Sequence, residues 1–260
     1  LRPGDRLLVH NRSYFETSEL IAALYGPWSV QVVGCDATDP DSLTAAIAGG
    51  IDVALVETVV NGPCVEVPRL DILLAAEVPV VLDNSAVGWA LPASLLADQD
   101  LVVIESRTKY LCRQASIGVA LGDAWVDAIR AVTRQTGVAL QGRALHHIRP
   151  GEVSRIRERL ALHADRLERF VAVVCDLASE ELQAISARDG AEGRLDPLSR
   201  VLATKARGSM VYLRFRHSAS NDEDAYRKAV AQWNEAVSGH RIRAGFGWTE
   251  TSARAYGRDR

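Results

Sequence analysis

Two apolar runs near the middle of the sequence each end in side chains that can do chemistry. Residues 78–82 lead into Asp83-Asn84-Ser85, and residues 101–104 lead into a segment with Ser106, Thr108 and Lys109. Short Val/Ile/Leu runs are typical of buried strands in an α/β sheet, and the carboxyl ends of such strands face the ligand crevice. The pattern therefore predicts an acid, two hydroxyls and a lysine at one sheet edge.

One chemistry uses this set of groups together. A lysine amine can form a Schiff base with an aldehyde cofactor, hydroxyls can bind a phosphate, and an aspartate can keep a pyridine nitrogen protonated. Pyridoxal phosphate (PLP) needs all three. Taken singly, Lys109 also fits a solvated lysine at a helix start, and Asp83 fits an ordinary strand-end cap. The combination favours the cofactor.

The elements that would position these groups alternate between strand and helix. Strands are predicted at 5–10, 30–34, 51–56, 78–82, 101–104, 118–121, 210–216 and 241–247. Helices are predicted at 18–25, 39–47, 70–77, 124–136, 152–177 and 222–237. Such alternation indicates an α/β fold with a mostly parallel sheet covered by helices.

Three local features refine this outline. Asp41 or Ser42 is expected to cap the free amides of the second helix. Residues 184–200, with two glycines and a proline, are expected to form an irregular connection. A Pro-Gly pair at 150–151 marks a boundary before the long amphipathic helix.

Composition excludes several classes of protein. The 260 residues are 48% hydrophobic and 24% charged with a net charge of −3, so no basic excess indicates nucleic-acid binding. No apolar run approaches the roughly 20 residues of a membrane span, and no signal-peptide pattern is seen. The four cysteines lack paired spacing, and the histidines lack partners at metal-ligand spacing. We therefore expect a cytoplasmic protein with reduced thiols, no metal and no membrane or nucleic-acid partner.

The chemical motifs resemble those of a known family. Asp83-Asn84-Ser85, a strand, and Ser106-Arg107-Thr108-Lys109-Tyr110 are similar to the Asp-Asn-Thr and Ser-x-Thr-Lys-Tyr motifs of the cystathionine synthase and lyase family, PLP enzymes of cysteine and methionine metabolism. The resemblance implies the fold-type I architecture of the aspartate aminotransferase class, with a large PLP-binding domain over residues 1–150 and a linking helix with a small α/β domain over residues 151–260. It also implies that Lys109 holds the cofactor, Ser106 and Thr108 bind its phosphate, and Asp83 pairs with its pyridinium nitrogen. Ser85 replaces a threonine and retains the hydroxyl.

Two further motifs match in part. Tyr14-Phe15-Glu16-Thr17 resembles the family's Tyr-Gly-Gly-Thr, which implies that Tyr14 stacks on the cofactor ring and helps protonate a leaving group. Asn61 matches the asparagine of Glu-Thr-Pro-x-Asn-Pro, near the cofactor's phenolic oxygen or the substrate. An interfacial aromatic and a turn asparagine are the structural alternatives.

The carboxy-terminal match is looser. Residues 241–247 can be aligned with the family's Arg-x-Ser-x-Gly strand, which makes Arg243 the anchor of the substrate carboxylate. They can also be aligned with an earlier Ser-Leu-Gly-Gly segment, and a surface position for Arg243 stays open.

Family members carry a segment before the Pro3-Gly4-Asp5 turn. It includes a Gly-Met loop that adds phosphate contacts, and residues that reach the neighbouring subunit's cofactor. The sequence begins at that turn, which predicts either a shortened protein or a longer chain of which these residues are a part. A real loss would leave the phosphate site incomplete.

The resemblance implies an enzyme that acts on an amino acid of the cysteine, methionine or homoserine type. The expected reactions are β- or γ-elimination and γ-replacement. A homodimer or homotetramer with a shared active site is implied. The alternatives are another fold-type I enzyme, such as a transaminase or a tailoring enzyme of specialised metabolism, and a degenerate family member without catalysis.

Overall fold

The described part of the chain contains a mostly parallel sheet of six strands. The computed structural model describes residues 1–60, 66–86, 101–106, 118–121, 125–138, 152–177, 182–185 and 212–215. The six strands of the main sheet are β1 (Arg6–His10), β2 (Gln31–Cys35), β3 (Val53–Glu57), β4 (Val80–Asp83), β5 (Leu101–Ser106) and β6 (Gly118–Leu121). They lie in the order β2-β1-β3-β4-β5-β6. The first five are mutually parallel and β6 is antiparallel to β5, which confirms the predicted mostly parallel sheet.

Five α-helices are found in the described ranges. They are α1 (Phe15–Tyr25), α2 (Pro40–Ala48), α3 (Leu70–Ala75), α4 (Val126–Thr136) and α5 (Glu152–Leu177). None of these helices combines the length and the apolar character that a membrane crossing requires.

The two faces of the sheet pack against different helices. On one face, Leu8 of β1 and Val56 of β3 belong to the same buried cluster as Leu43 of α2 and Leu73 of α3. On the other face, Leu7 and Val9 of β1 pack with Ile21 of α1. Because each fully buried leucine contributes about 1.5–3 kcal/mol, these clusters fix which way each strand residue points.

The start of α2 differs from the prediction. Asp39, not Asp41 or Ser42, is the capping residue, and its carboxylate accepts a hydrogen bond from the Ser42 amide at 3.1 Å. Pro40 occupies the first helical position, where its missing N–H leaves no hydrogen bond unmade. The cap therefore lies just before the proline.

The expected irregular connection at 184–200 is wrong at its beginning. Leu182–Ile185 forms a strand, β7, which pairs antiparallel with β8 (Tyr212–Phe215) in a separate two-stranded sheet. Distant partner residues, such as Tyr212, 27 positions after Ile185, stabilise a run too short to be recognised by itself. The strand predicted at 210–216 is confirmed in its central part. The elements predicted at 222–237 and 241–247 lie outside the described residues.

Candidate active site

The carboxyl ends of β1, β3, β4 and β5 bring four of the predicted site residues to one edge of the sheet. Tyr14 follows β1, Asp83 ends β4, Ser85 follows it, and Ser106 ends β5. The other four predicted residues, Asn61, Thr108, Lys109 and Arg243, lie outside the described residues.

Strand register places the acidic side chains in one row. Glu57 of β3 is paired with Asp83 of β4, and Asp83 is paired with Ile104 of β5. Paired residues on parallel strands point to the same face and lie about 4.8 Å apart. We call this the site face; it carries Glu57, Asp83 and Ser106, all half-buried.

Asp83, Ser85 and Ser106 are linked by hydrogen bonds. The Ser85 amide donates to Oδ1 of Asp83 at 2.8 Å, and the Ser106 amide donates to Oγ of Ser85 at 2.9 Å. Asp83 thus caps the strand end, as the structural alternative expected. Its Oδ2 accepts no hydrogen bond from the part of the chain that the structure describes, so one carboxylate oxygen stays available.

Tyr14 is held by a residue that sequence reasoning did not single out. Oε1 of Glu57 accepts a hydrogen bond from the Tyr14 amide at 2.6 Å. Tyr14 is the N-cap residue of α1 and its own side chain makes no capping bond. Because a negative charge is favourable at a helix N-terminus, Glu57 fixes both the helix start and the tyrosine. Its position at the end of a strand, like that of Asp83, was the available signal.

Val60 and Glu66 are joined to each other and to the residues that follow β1. Val60 and Glu66 form an antiparallel bridge, in which the Val60 amide donates to the Glu66 carbonyl at 2.9 Å. Arg12, which follows β1, lies 2.6 Å from the Glu66 carboxylate. These contacts hold Val60 and Glu66 beside the carboxyl end of β1.

The opposite side of the same edge is also polar but is closed to solvent. It carries His10 (2% exposed), Thr58 (0%), Asn84 (0%) and Glu105 (5%), and we call it the buried face. Nδ2 of Asn84 donates to Oε1 of Glu105 at 2.5 Å, and Oγ of Thr58 donates to Oδ1 of Asn84 at 2.8 Å. Sequence reasoning missed this layer, although each residue alternates with a residue of the site face.

Burial suppresses the charge of His10. Burial lowers the pKa of His10 to about 4, against the raising effect of the Asp36 carboxylate 3.8 Å away. Nδ1 of His10 accepts a hydrogen bond from the Ala37 amide at 2.9 Å. For Asp36, burial acts to raise the pKa, but hydrogen bonds from Thr38 and the charge of Arg12 outweigh it and lower the pKa. His10 is therefore neutral at neutral pH.

Cys35 and the acidic residues offer no alternative centre. Burial raises the pKa of the Cys35 thiol to about 11, so this cysteine is a poor nucleophile. Within the described ranges, no three His, Cys, Asp or Glu side chains are grouped so as to hold a metal ion.

The site face fits the pyridine and phosphate groups of PLP. Oδ2 of Asp83 can accept a hydrogen bond from a protonated ring nitrogen, and no other described residue uses it. The hydroxyl of Ser106 makes no hydrogen bond to the described residues and can donate to a phosphate oxygen. Ser85 accepts from the Ser106 amide and still has its own proton to donate.

The chain is similar to several known proteins. The cystathionine gamma-synthase of Mycobacterium leprae is 32% identical over 117 residues, which cover 43% of this chain and 29% of that protein. A structure of cystathionine gamma synthase from Xanthomonas oryzae pv. oryzae, in complex with aminoacrylate and cysteine, matches with a TM-score of 0.72 and 20% identity. The match covers 96% of this chain and 63% of that one. Apo CalE6, a methionine gamma lyase from Micromonospora echinospora, matches with a TM-score of 0.57 and 23% identity over 78% of this chain and 56% of that one.

These likenesses confirm the expected fold-type I architecture, and the chain spans less than two thirds of the length of each of these relatives. Residues 1–151 also match the family model described as Cys/Met metabolism PLP-dependent enzyme. This stretch is more than half of the chain and contains the whole edge where Tyr14, Asp83 and Ser106 meet. The chain therefore belongs to the Cys/Met metabolism family of PLP-dependent enzymes.

Proposed function

We propose that the protein is a PLP-dependent enzyme that catalyses β- or γ-elimination, or γ-replacement, on an amino acid of the cysteine, methionine or homoserine type. The observation that carries the proposal is the convergence of Tyr14, Asp83 and Ser106 at one sheet edge. Membership of the family over residues 1–151 supports the cofactor. The names of the relatives, cystathionine gamma-synthase and methionine gamma lyase, support the substrate class.

The cofactor end of the site is assigned to side chains of β4, β5 and the following residues. When bound, PLP supplies an electron sink conjugated with the substrate's Cα. Oδ2 of Asp83 keeps a proton on the ring nitrogen. The hydroxyls of Ser106 and Thr108 donate to phosphate oxygens, and Ser85 orients Ser106 through its amide.

The substrate end is assigned to residues from other parts of the chain. Lys109 would hold the cofactor through its aldehyde and would move the proton at Cα as a general base. Tyr14 would stack on the cofactor ring and help protonate the leaving group, while Asn61 would lie near the cofactor's phenolic oxygen or the substrate. Arg243 binds the substrate carboxylate through its two parallel N–H groups.

The role of Lys109 can be tested by covalent trapping. These 260 residues contain three lysines, Lys109, Lys205 and Lys228. Protein incubated with PLP and reduced with borohydride should carry the pyridoxyl group on Lys109, located by peptide mass spectrometry. The Lys109→Ala variant should lose the label and more than about 10³-fold of its turnover, since the general base is lost as well.

The other two lysines provide matched controls. The Lys205→Ala and Lys228→Ala variants should keep both the label and the turnover. Label on either of these residues in the wild type, or turnover unaffected by Lys109→Ala, contradicts the proposal.

Product analysis separates the possible reactions. Release of a keto acid and ammonia from a single amino acid indicates elimination. Consumption of a second substrate, either a thiol or another amino acid, without release of ammonia indicates replacement. Turnover that requires a second keto acid would instead identify a transaminase.

The proposal extends to assembly, domains and location. We propose a cytoplasmic homodimer or homotetramer with a shared active site, which light scattering of the purified protein would test. Residues 1–150 would form the large PLP-binding domain, and residues 151–260 the linking helix and the small domain.

A further inference from the structure

Glu105 is a buried carboxyl next to the cofactor end of the site that the proposed function does not use. It lies in β5 directly before Ser106, on the buried face, and is 5% exposed. Taking a carboxyl out of water is costly unless hydrogen bonds replace the lost solvation. Its Oε1 accepts a hydrogen bond from Nδ2 of Asn84 at 2.5 Å.

Asn84 is the residue through which Glu105 can act on the site. Its side chain is fully buried, and its Oδ1 accepts a hydrogen bond from the Thr58 hydroxyl at 2.8 Å. A carboxylate only accepts hydrogen bonds, whereas a threonine hydroxyl can donate or accept. Glu105 therefore requires that the NH2 group of the Asn84 carboxamide faces β5. The carboxamide oxygen then faces Thr58, whose hydroxyl donates to it.

Backbone hydrogen bonds also hold Asp83 and Asn84 in place between the neighbouring strands. The Thr58 amide donates to the Asp83 carbonyl at 2.9 Å, and the Asn84 amide donates to the Ile104 carbonyl at 2.8 Å. Asp83 and Ser85 flank Asn84 in the chain, so rotation of Asn84 would move both of them. Asp83 would then change its position relative to the ring nitrogen, and Ser85 relative to the Ser106 amide.

We propose that Glu105 is a positioning residue: by fixing the Asn84 carboxamide from behind the sheet, it sets the orientation of Asp83 and Ser85 on the site face. The proposal rests on the proposed PLP function of that face. Glu105 acts through hydrogen-bond geometry, so the reach of its side chain matters more than its charge.

Two substitutions that keep a polar side chain separate reach from charge. Glu105→Gln keeps the length and an acceptor oxygen but removes the charge. Glu105→Asp keeps the charge but is one methylene too short to reach Asn84. Cofactor titration of the apoprotein should give a dissociation constant within about threefold of wild type for Glu105→Gln and raised about tenfold or more for Glu105→Asp. The absorbance of the bound cofactor should change with pH as in wild type for the first variant and differently for the second.

A double-mutant cycle tests the route through Asn84. If Glu105 acts through this residue, Glu105→Asp should add little to the effect of Asn84→Ala on the cofactor dissociation constant. Glu158→Gln, a charge loss at an exposed position of α5, is the control and should leave cofactor binding unchanged.

Each outcome decides between the two proposals. A wild-type protein that takes up no PLP overturns the proposed function and this inference with it. If the wild type binds PLP at Lys109, then equal affinity in the Glu105→Asp variant, loss of affinity in Glu105→Gln, or additive effects with Asn84→Ala overturn only the positioning role.

Discussion

The two faces of the sheet's carboxyl edge are both polar, yet they differ in what their polar groups do. On the site face, Asp83 and Ser106 are half-buried and keep hydrogen-bonding groups that no described residue uses. On the buried face, Thr58, Asn84 and Glu105 are at most 5% exposed and bond to one another. The two sets alternate along the same strands, within a few ångströms of each other.

This difference separates stability from chemistry. A buried polar group that loses its partner destabilises the fold by about 1–3 kcal/mol, because water cannot replace the hydrogen bond. A half-buried group at the open face can be changed at little cost in stability, and the loss appears in ligand binding or catalysis. Substitutions on the two faces should therefore give opposite signatures.

Among the described residues, the largest effect on activity is expected at Asp83. The Asp83→Asn variant keeps an oxygen that can accept the Ser85 amide but loses the charge that would hold the ring-nitrogen proton. We expect kcat/KM to fall by about 10²–10³-fold and the free energy of unfolding to change by less than about 0.5 kcal/mol. Steady-state kinetics and urea unfolding measure the two quantities.

A matched control for this change lies at Asp39. It caps α2, and asparagine caps as well as aspartate, so Asp39→Asn should leave kcat/KM unchanged and alter the free energy of unfolding by no more than about 0.5 kcal/mol. If kcat/KM of the Asp83→Asn variant equalled that of the wild type, the carboxylate of Asp83 would have no role in catalysis.

The buried face should show its largest effect as a pH dependence of stability at His10. The folded pKa is about 4, against 6.5 for an unperturbed histidine. Between pH 4 and pH 6.5, His10 binds a proton in the unfolded chain but not in the folded one, so lowering the pH favours unfolding. The free energy of unfolding should therefore have its full value above pH 6.5 and should fall as the pH is lowered to 4. The total loss is about 3 kcal/mol.

The His10→Asn variant isolates this contribution. Its Oδ1 can replace Nδ1 as acceptor for the Ala37 amide, but it does not titrate. Urea unfolding between pH 7 and pH 4 should show a flatter profile than wild type. A constant difference between the two proteins across this range would mean that His10 does not titrate as described.

The smallest effect is expected at Glu57. The Glu57→Gln variant keeps an acceptor for the Tyr14 amide and removes the charge at the start of α1. It should lower the free energy of unfolding by about 0.5 kcal/mol, a loss that added salt screens. Urea unfolding at low and high ionic strength measures it. If the free energy of unfolding fell by several times this amount, Glu57 would behave like the residues of the buried face, whose main effect is on stability.

The sequence predicted the six strands of the main sheet and the long helices because their apolar patterns are strong. The strand at residues 118–121 and the helix at residues 152–177 have the predicted bounds. Asp83 and Ser106 were recognised as strand-end residues because their motif is distinctive. The sequence assigned no role in the site to Glu57 or Glu105, because strands β3 and β5 continue beyond their apolar runs and the face of a strand's last residues depends on pairing with its neighbours.

The links through Asn84 have a consequence for folding. Asn84 is joined to Thr58, 26 residues earlier, and to Glu105, 21 residues later. Contacts between such distant residues form late, after the chain has closed long loops. A ligand that needs this edge can bind only after β3, β4 and β5 have paired, and it then stabilises the native state by mass action. Cofactor supply during synthesis would thus affect how much folded protein accumulates.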